Sequence, residues 1–215
     1  MAEKVAALKD DGPPLPGSLI LLQHPPVLTL GTSSTLDNLV TDDPPFELFR
    51  TERGGEVTYH GPGQLILYPV VDLRQYRQDV HWYMRALEEV VVRTLNSLDL
   101  PAERESGLTG VWVRGAKACA IGVKLSRWVS MHGLALNVEP DLDHFGHIVP
   151  CGIADKPVTS IAKLRGEDGA PPVGLEEVAE LLLKHFAEVF ACELSDADSS
   201  EWTQAQAKKE LILEP

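Results

Sequence analysis

A single mixed α/β domain is the fold this sequence predicts, on three observations. Two long segments carry apolar residues at helical spacing, several short apolar runs read as strands between them, and neither repeat nor linker divides the chain. With 215 residues, 44% of them hydrophobic, the chain is large enough for one sizeable core. The expected organisation is one domain over 1–215, with an N-terminal arm at 1–17 and an acidic C-terminal tail at 195–215.

In chain order, residues 3–8 begin a helical run that dissolves into Asp10, Asp11, Gly12, Pro13 and Pro14, an arm with little core of its own. Residues 18–24 read as a buried strand stopped by Pro25 and Pro26. A short extended piece at 27–31 precedes a polar loop at 32–45. The stretch 50–64 then holds Gly54, Gly55, Gly61 and Gly63 with Arg53, Tyr59 and His60 among them, before an apolar strand at 65–73. A glycine-rich hairpin turn is one reading. Backbone brought close to a bound molecule is the other, and the polar ring residues favour it. A phosphate loop is excluded: Pro62 has no N–H to offer, and no Gly-Lys-Ser/Thr follows.

Asp79 is placed to cap a helix running to about Leu98, with Val80, Tyr83, Met84, Leu87, Val90, Val91, Leu95 and Leu98 on its apolar face. Trp82 reads as core, and Asp99-Leu100-Pro101 ends the helix. A hairpin follows: residues 110–113, a turn at Arg114-Gly115-Ala116, then 117–123. Strict alternation puts Lys117, Cys119, Ile121 and Val123 on one face and the small Ala118, Ala120 and Gly122 on the other. A strand at 129–138 repeats the pattern with Gly133 and Ala135. Two small faces either pack tightly against a helix or leave a slot for an elongated apolar ligand.

Residues 141–145 form one helical turn leading into Pro150-Cys151-Gly152, 158–161 start another short element, and 166–172 is a loop. An amphipathic helix at 174–190 buries Val178, Leu181, Leu182, Phe186, Val189 and Phe190, with His185 as a structural residue. The tail is polar, then mildly helical, with Leu211-Ile212-Leu213 folding back onto the body.

A net charge of −13 argues against general nucleic-acid binding. Cations nevertheless gather mid-chain at Arg50, Arg53, Arg114, Lys117, Lys124, Arg127, Lys156, Lys163 and Arg165, either as ordinary surface scatter or as a local basic patch for an acidic partner. No apolar run approaches the roughly 18 residues of a membrane span, and the start has neither signal-peptide nor presequence composition. Three cysteines without CxxC spacing point to a reducing compartment, and neither a disulfide framework nor a zinc site is expected.

Cys151 lies between proline, which fixes its own φ, and glycine, which tolerates otherwise strained backbone. Such a cysteine is either a small buried hydrophobe or a nucleophile on a stiff loop. The motifs Arg53-Gly54-Gly55-Glu56-Val57-Thr58-Tyr59-His60-Gly61-Pro62-Gly63-Gln64, Lys117 with Ala120-Ile121-Gly122-Val123, His132-Gly133-Leu134-Ala135-Leu136-Asn137-Val138 and Pro150-Cys151-Gly152-Ile153 occur in one order. Together they closely resemble the lipoyl(octanoyl) transferase family, over about 18–190. The region before Ser18 is shorter and richer in proline than is usual there.

The resemblance implies the α/β fold shared by biotin and lipoate protein ligases. It implies an octanoyl group moved from acyl carrier protein to a lysine on a lipoyl domain, as in E2 subunits of 2-oxoacid dehydrogenases and the H protein of glycine cleavage. Cys151 matches the acyl-thioester nucleophile and Lys117 the lysine that lowers the thiol pKa. Arg53, Gly54, Gly55, Glu56, Val57, Thr58, Tyr59 and His60, with Ala120, Ile121, Gly122, Gly133, Leu134 and Ala135, match the acyl-substrate pocket. No cofactor or metal is expected, and neither nucleic acid nor membrane is an expected partner. The expected state is a cytoplasmic monomer, the alternative compartment being a mitochondrion or plastid reached by a mature form without its presequence.

The chemistry is self-consistent without the resemblance. Thioester-to-amine transfer is downhill, so no nucleotide is required. A thiol with an ordinary pKa near 8.5 must be acidified to supply thiolate at neutral pH, and a nearby ammonium does so. Two rivals remain: an ATP-dependent lipoate ligase, which needs no nucleophilic cysteine, and an inactive relative that only binds lipoyl domains or acyl chains. Cys119, inside a hairpin, and Cys192, after a helix with no base nearby in sequence, are weaker nucleophile candidates.

Overall fold

The computed structural model describes residues 17–41, 43–149, 156–196 and 209–214. In chain order its strands are β1 (Gly17–Leu22), β2 (Val27–Leu30), β3 (Glu47–Arg50), β4 (Thr58–His60), β5 (Gln64–Val70), β6 (Ala102–Glu103), β7 (Val111–Val113), β8 (Ala116–Ser126), β9 (Val129–Asn137), β10 (Glu193–Asp196) and β11 (Lys209–Glu214). Its helices are α1 (Val80–Asn96), α2 (Ile161–Glu167) and α3 (Leu175–Phe190). A wide sheet runs in the order β10-β11-β1-β5-β9-β8-β7-β6, and a small one in the order β3-β2-β4. Neighbours in the wide sheet pair antiparallel, whereas β2 pairs parallel with β3 and antiparallel with β4. The expected α/β class is met.

One face of the wide sheet carries the main core. Asp79 caps α1 by accepting a hydrogen bond from the Trp82 N–H, and Tyr83, Leu87, Val90, Val91 and Leu95 form the buried stripe. Val80, expected on that stripe, sits in the first turn beyond the sheet's cover and is 42% exposed. Helix α3 stacks Phe186 on Phe190 and sets Phe190 edge-on to Tyr83 and Trp82, so Trp82 belongs to the packing between α1 and α3. Each large apolar side chain buried there contributes about 1.5–3 kcal/mol.

The β7–β8 hairpin turns on Arg114 and Gly115, both with positive φ, the pattern of a two-residue turn that matches strand twist. Its register corrects the simple alternation. Val111 pairs with Cys119 and Trp112 with Lys117, one step on β7 against two on β8, which leaves Ala118 as the extra residue of a β-bulge. Beyond the bulge Cys119 faces the core with Val111. Lys117 instead shares the opposite face with Ala120 and Gly122.

The small sheet has a second core of Leu28, Leu30, Val57, Tyr59 and Ile148. Strands β4 and β5 belong to different sheets, so the glycine-rich stretch is a crossover between layers and no hairpin. The tail differs from its mildly helical expectation. Residues 209–214 form β11, antiparallel to β1 with Gly17 opposite Leu213, so Leu211-Ile212-Leu213 does return to the body. The helical run at 3–8 and the Pro150-Cys151-Gly152 turn lie outside the described residues.

Candidate active site

A cavity of about 940 Å³ opens between the helix-free face of the wide sheet and the small sheet. Lys117, Ala120, Ile121 and Gly122 of β8 and His132, Gly133, Leu134 and Ala135 of β9 form one wall. Arg53, Gly54, Gly55, Glu56, Val57, Thr58 and His60 form the opposite one. Gly122 and Gly133 are direct partners across the β8–β9 ladder, as are Ala120 and Ala135, so small side chains line up in two adjacent pairs. These small faces line the cavity and do not pack against a helix.

The glycine-rich loop is fastened to both layers. Gly54 N–H donates to Val123 O at 2.9 Å, while Thr32 N–H donates to Arg53 O at 3.0 Å. Arg53 is buried and its guanidinium donates to both the carbonyl and the hydroxyl of Thr29, each at 2.8 Å, so it pins the loop to β2. Gly31 must lack a side chain because a Cβ there would lie 2.1 Å from Gly55 O.

Tyr59 is the predicted pocket residue that the structure does not bring to the cavity. Alternation along β4 turns it into the small-sheet core, where its hydroxyl meets His144 Nδ1 at 2.8 Å and its ring packs on Phe46 and Phe145. It braces the turn Leu142–His147 that leads towards Pro150.

Polar rings beyond the predicted set also line the cavity: His24, Tyr68 and His132. His24 Nε2 lies 2.8 Å from the Tyr68 hydroxyl, and Tyr68 meets the His132 ring edge-on. Burial lowers the pKa of His24 and His132 and pushes the Tyr68 phenol up to about 12. His132 Nε2 is 3.6 Å from a Glu52 carboxylate oxygen, but burial outweighs that contact. Tyr68 is a single residue within β5 and His24 a single one between β1 and Pro25, and no spacing marks either. His132 has a signal, since it abuts Gly133 in the motif His132-Gly133-Leu134-Ala135.

Burial pushes His60 down to about 3, with smaller contributions from the charges of His24, Arg53 and His132. Its Nδ1 donates to Gln64 Oε1 at 3.1 Å, the amide nitrogen of Gln64 being committed to Tyr59 O and Asn137 Oδ1. The ring is therefore a neutral acceptor at Nε2. Because the folded-state pKa lies below the unfolded 6.5, the unfolded chain binds the extra proton between these values. Stability is thus retained above pH 6.5 and lost as pH falls towards 3. The loss should be up to about 1.4 kcal/mol per pH unit from this residue. Thermal unfolding at pH 7 and pH 5 is the measurement, and His60→Gln should flatten the dependence; an equally steep His60→Gln curve would assign it elsewhere.

Lys117 is held through its backbone by the chain that follows Cys151. Its N–H donates to Pro157 O at 2.8 Å and its carbonyl accepts from Thr159 N–H at 2.9 Å. Asn137 ties this clamp to the histidine cluster, accepting from Gln64 and donating to Thr159 O, both at 2.9 Å. On the other side of Cys151, Val149 N–H donates to Asn38 O. Cys151 itself, and its distance from Lys117, lie outside the described residues.

Other chemistry-bearing groups are accounted for structurally. Burial drives the Cys119 thiol pKa far up and raises that of Cys192. Ser97, His185 and Glu188 are linked at 2.9 and 3.0 Å in the order of a hydrolytic triad. Ser97, however, caps the C-terminus of α1, where carbonyls and no N–H donors face it, so an oxyanion finds no support. His185 is structural, as its sequence position suggested. Of the mid-chain cations, Arg114 pairs with Asp168, Lys124 with Glu52 and Lys156 with Glu105, while Arg50, Arg53 and Arg165 bond carbonyls, so these do not form a bare patch. Among the described residues, no helix is long and apolar enough to cross a membrane.

Residues 3–187 match the family described as the lipoyl protein ligase A/B catalytic domain. Among curated relatives, an octanoyltransferase of Nostoc sp. is 53% identical over 189 residues, covering 87% of this chain and 83% of its own. A chloroplastic octanoyltransferase of Arabidopsis thaliana is 50% identical over 197 residues, covering 87% of this chain and 70% of the relative. Among solved structures, lipoate-protein ligase A bound with ATP superposes with a TM-score of 0.70 at 19% identity, over 87% of this chain and 76% of that one. Biotin protein ligase from Aquifex aeolicus, in complex with biotin and ATP, gives 0.52 at 15% identity, over 76% and 70%. At these identities the two structures speak for the fold alone.

Proposed function

We propose a two-step acyl relay through Cys151 for this chain, which belongs to the lipoyl protein ligase A/B catalytic-domain family and is an octanoyltransferase, an acyltransferase of protein lipoylation. The donor is octanoyl-acyl carrier protein. The acceptor is the lysine of a lipoyl domain, in E2 subunits of 2-oxoacid dehydrogenases and in the glycine cleavage H protein. The observation that carries this reading is the placement of Lys117 in the wall of a cavity lined by paired small residues.

In the first step the Cys151 thiolate attacks the octanoyl carbonyl, and the carrier's thiolate leaves as the new thioester forms. A nearby ammonium favours the attacking thiolate, the role assigned to Lys117. In the second step the acceptor amine attacks the Cys151 thioester. Lys117, which has given its ammonium proton to the departing carrier thiolate and now stands neutral beside the thioester, receives the amine's proton, and Cys151 departs as thiolate. The chain topology supports the pairing: Pro157 and Thr159, shortly after Cys151, clamp the Lys117 backbone. The small-walled slot beside Gly122 and Gly133 holds the acyl chain, each buried methylene contributing about 0.8 kcal/mol. Shortening the chain by two carbons should thus cost modestly rather than abolish transfer.

The enzyme works as one catalytic domain and a monomer, in the cytoplasm or, as the Arabidopsis thaliana relative's compartment allows, in a plastid. The test is intact mass after mixing with octanoyl carrier protein. A labile octanoyl adduct is expected on the wild type, removed by hydroxylamine and missing from Cys151→Ala. A wild type that transfers without ever carrying an adduct overturns the relay, and transfer from free octanoate only with ATP would replace it with ligase chemistry.

A further inference from the structure

Trp112 is fully buried on β7, directly across the ladder from Lys117. The Lys117 ammonium nitrogen stands 4.9 Å from the centre of the indole ring, within the range where a cation is attracted to an aromatic face. The approach is built into the local backbone. The Ala118 bulge turns Lys117 onto the Trp112 side of the sheet. Gly110 leaves room for the lysine stem, since a Cβ there would lie 3.2 Å from Lys117 Cε and 2.6 Å from Cys119 O.

Packing alone is a poor reason for tryptophan here. Among the described residues its Nε1 is buried without a hydrogen-bond partner, a penalty that leucine or phenylalanine in the same space would avoid. What those residues lack is the indole face, the strongest of the aromatic surfaces for a cation. A second ammonium, Lys156, lies 5.9 Å from the same ring, but Glu105 neutralises it at 2.5 Å. Among the described residues, Glu88, which pairs with Arg85 and Arg104 and accepts from the Gly110 N–H, and the buried Cys119 thiol are further charged and titratable neighbours.

We infer that Trp112 is a positioning residue for the transfer reaction: its indole face fixes where the Lys117 ammonium sits and thereby how strongly that charge acts on Cys151. The inference rests on the Cys151 relay and refines it. Backbone clamping by Pro157 and Thr159 sets where the lysine stem begins, and the indole sets where it ends. The ring narrows the positions open to the end of a flexible four-carbon stem.

The experiment follows Cys151 alkylation by iodoacetamide against pH, together with kcat and KM for octanoyl carrier protein. Trp112→Leu is expected to raise the apparent pKa of alkylation by about one unit and lower kcat about tenfold, in line with a desolvated cation–π contact. KM for the donor should stay within about twofold, because the acyl slot is untouched. Trp112→Phe should fall between Leu and wild type. A folded Trp112→Leu protein with wild-type profile and kcat overturns the inference. Fluorinated tryptophan, which weakens the face at nearly constant shape, guards against a variant that fails to fold. It should move the profile in the wild type and not in Trp112→Phe, and a profile unmoved by fluorination also overturns the inference. Failure of the relay reads differently: there the wild type itself forms no labile adduct.

Discussion

Lys117→Met and Cys151→Ala are each expected to lower kcat/KM by about 10³-fold or more, and the double variant to be no slower than the slower single one. The non-additivity is the informative part. If Lys117 acts by raising the thiolate fraction of Cys151 and by taking a proton from the amine that attacks its thioester, it has nothing to act on once the sulfur is gone. Methionine is the apt replacement because it keeps a linear stem between Gly110 and Trp112, so lost charge is separated from lost packing. The two roles of Lys117 separate by pH. A thiol returned to an ordinary pKa near 8.5 is only about 3% thiolate at pH 7, so roughly thirtyfold of the Lys117→Met loss should recover as pH rises to about 9. The remainder, which belongs to the proton transfer, should not. Rates of lipoyl-domain octanoylation between pH 6 and pH 9.5 measure both. Losses that multiply in the double variant would mean that the residues act independently, and the pair would have to be abandoned.

How much of this was legible in the sequence depends on the length of the pattern. Helices α1 and α3 announced themselves because four or more turns of apolar stripe outweigh local exceptions, Val80 being one. Strand β3 did not, since Glu47–Arg50 is largely exposed and has no alternation to detect. The small sheet was likewise invisible as a unit, its parallel β2–β3 pair being joined by a long loop. Strand β11 read as helical because six residues of mixed polarity carry no decisive period, and its pairing with β1 is set by a partner nearly 200 residues away in the chain. At the site, glycine spacing marked the loop and both cavity strands. A bulge leaves no mark on composition, so simple alternation sent Lys117 to the wrong face. Lys117 is marked by the family motif, and only the shifted register explains how it faces the cavity at all.

The same register makes Gly122 and Gly133 a second test, for they are partners on one rung of the ladder and should fail differently. A Cβ on Gly133 would lie 2.2 Å from Leu67 O and 2.7 Å from Pro69 Cδ. Leu67 is fixed in β5, opposite Leu134, so its carbonyl cannot retreat without opening the ladder between β5 and β9. Gly133→Ala is therefore expected to cost about 3 kcal/mol or more, at or beyond the upper end of ordinary overpacking. That corresponds to a melting temperature lower by about 6–12 °C for a chain of this size. A Cβ on Gly122 meets Gly54 O at 2.9 Å and Arg53 Cδ at 3.2 Å, both in the crossover loop that rides on β8. The loop's backbone tie to that strand is the bond from Gly54 N–H to Val123 O, its other backbone bonds and the Arg53 side chain holding it to residues 29–33 beside the small sheet, so it can shift against β8 by tenths of an ångström. Gly122→Ala should accordingly melt within a few degrees of the wild type while raising KM for octanoyl carrier protein about tenfold, because the loop it displaces is the far wall of the proposed acyl slot. Calorimetry and donor titration read the two effects separately. If Gly122→Ala bound donor normally, the slot between β8 and the Arg53 loop would not be where the acyl chain lies, and the chain would have to be sought along the His24–Tyr68 side of the cavity instead.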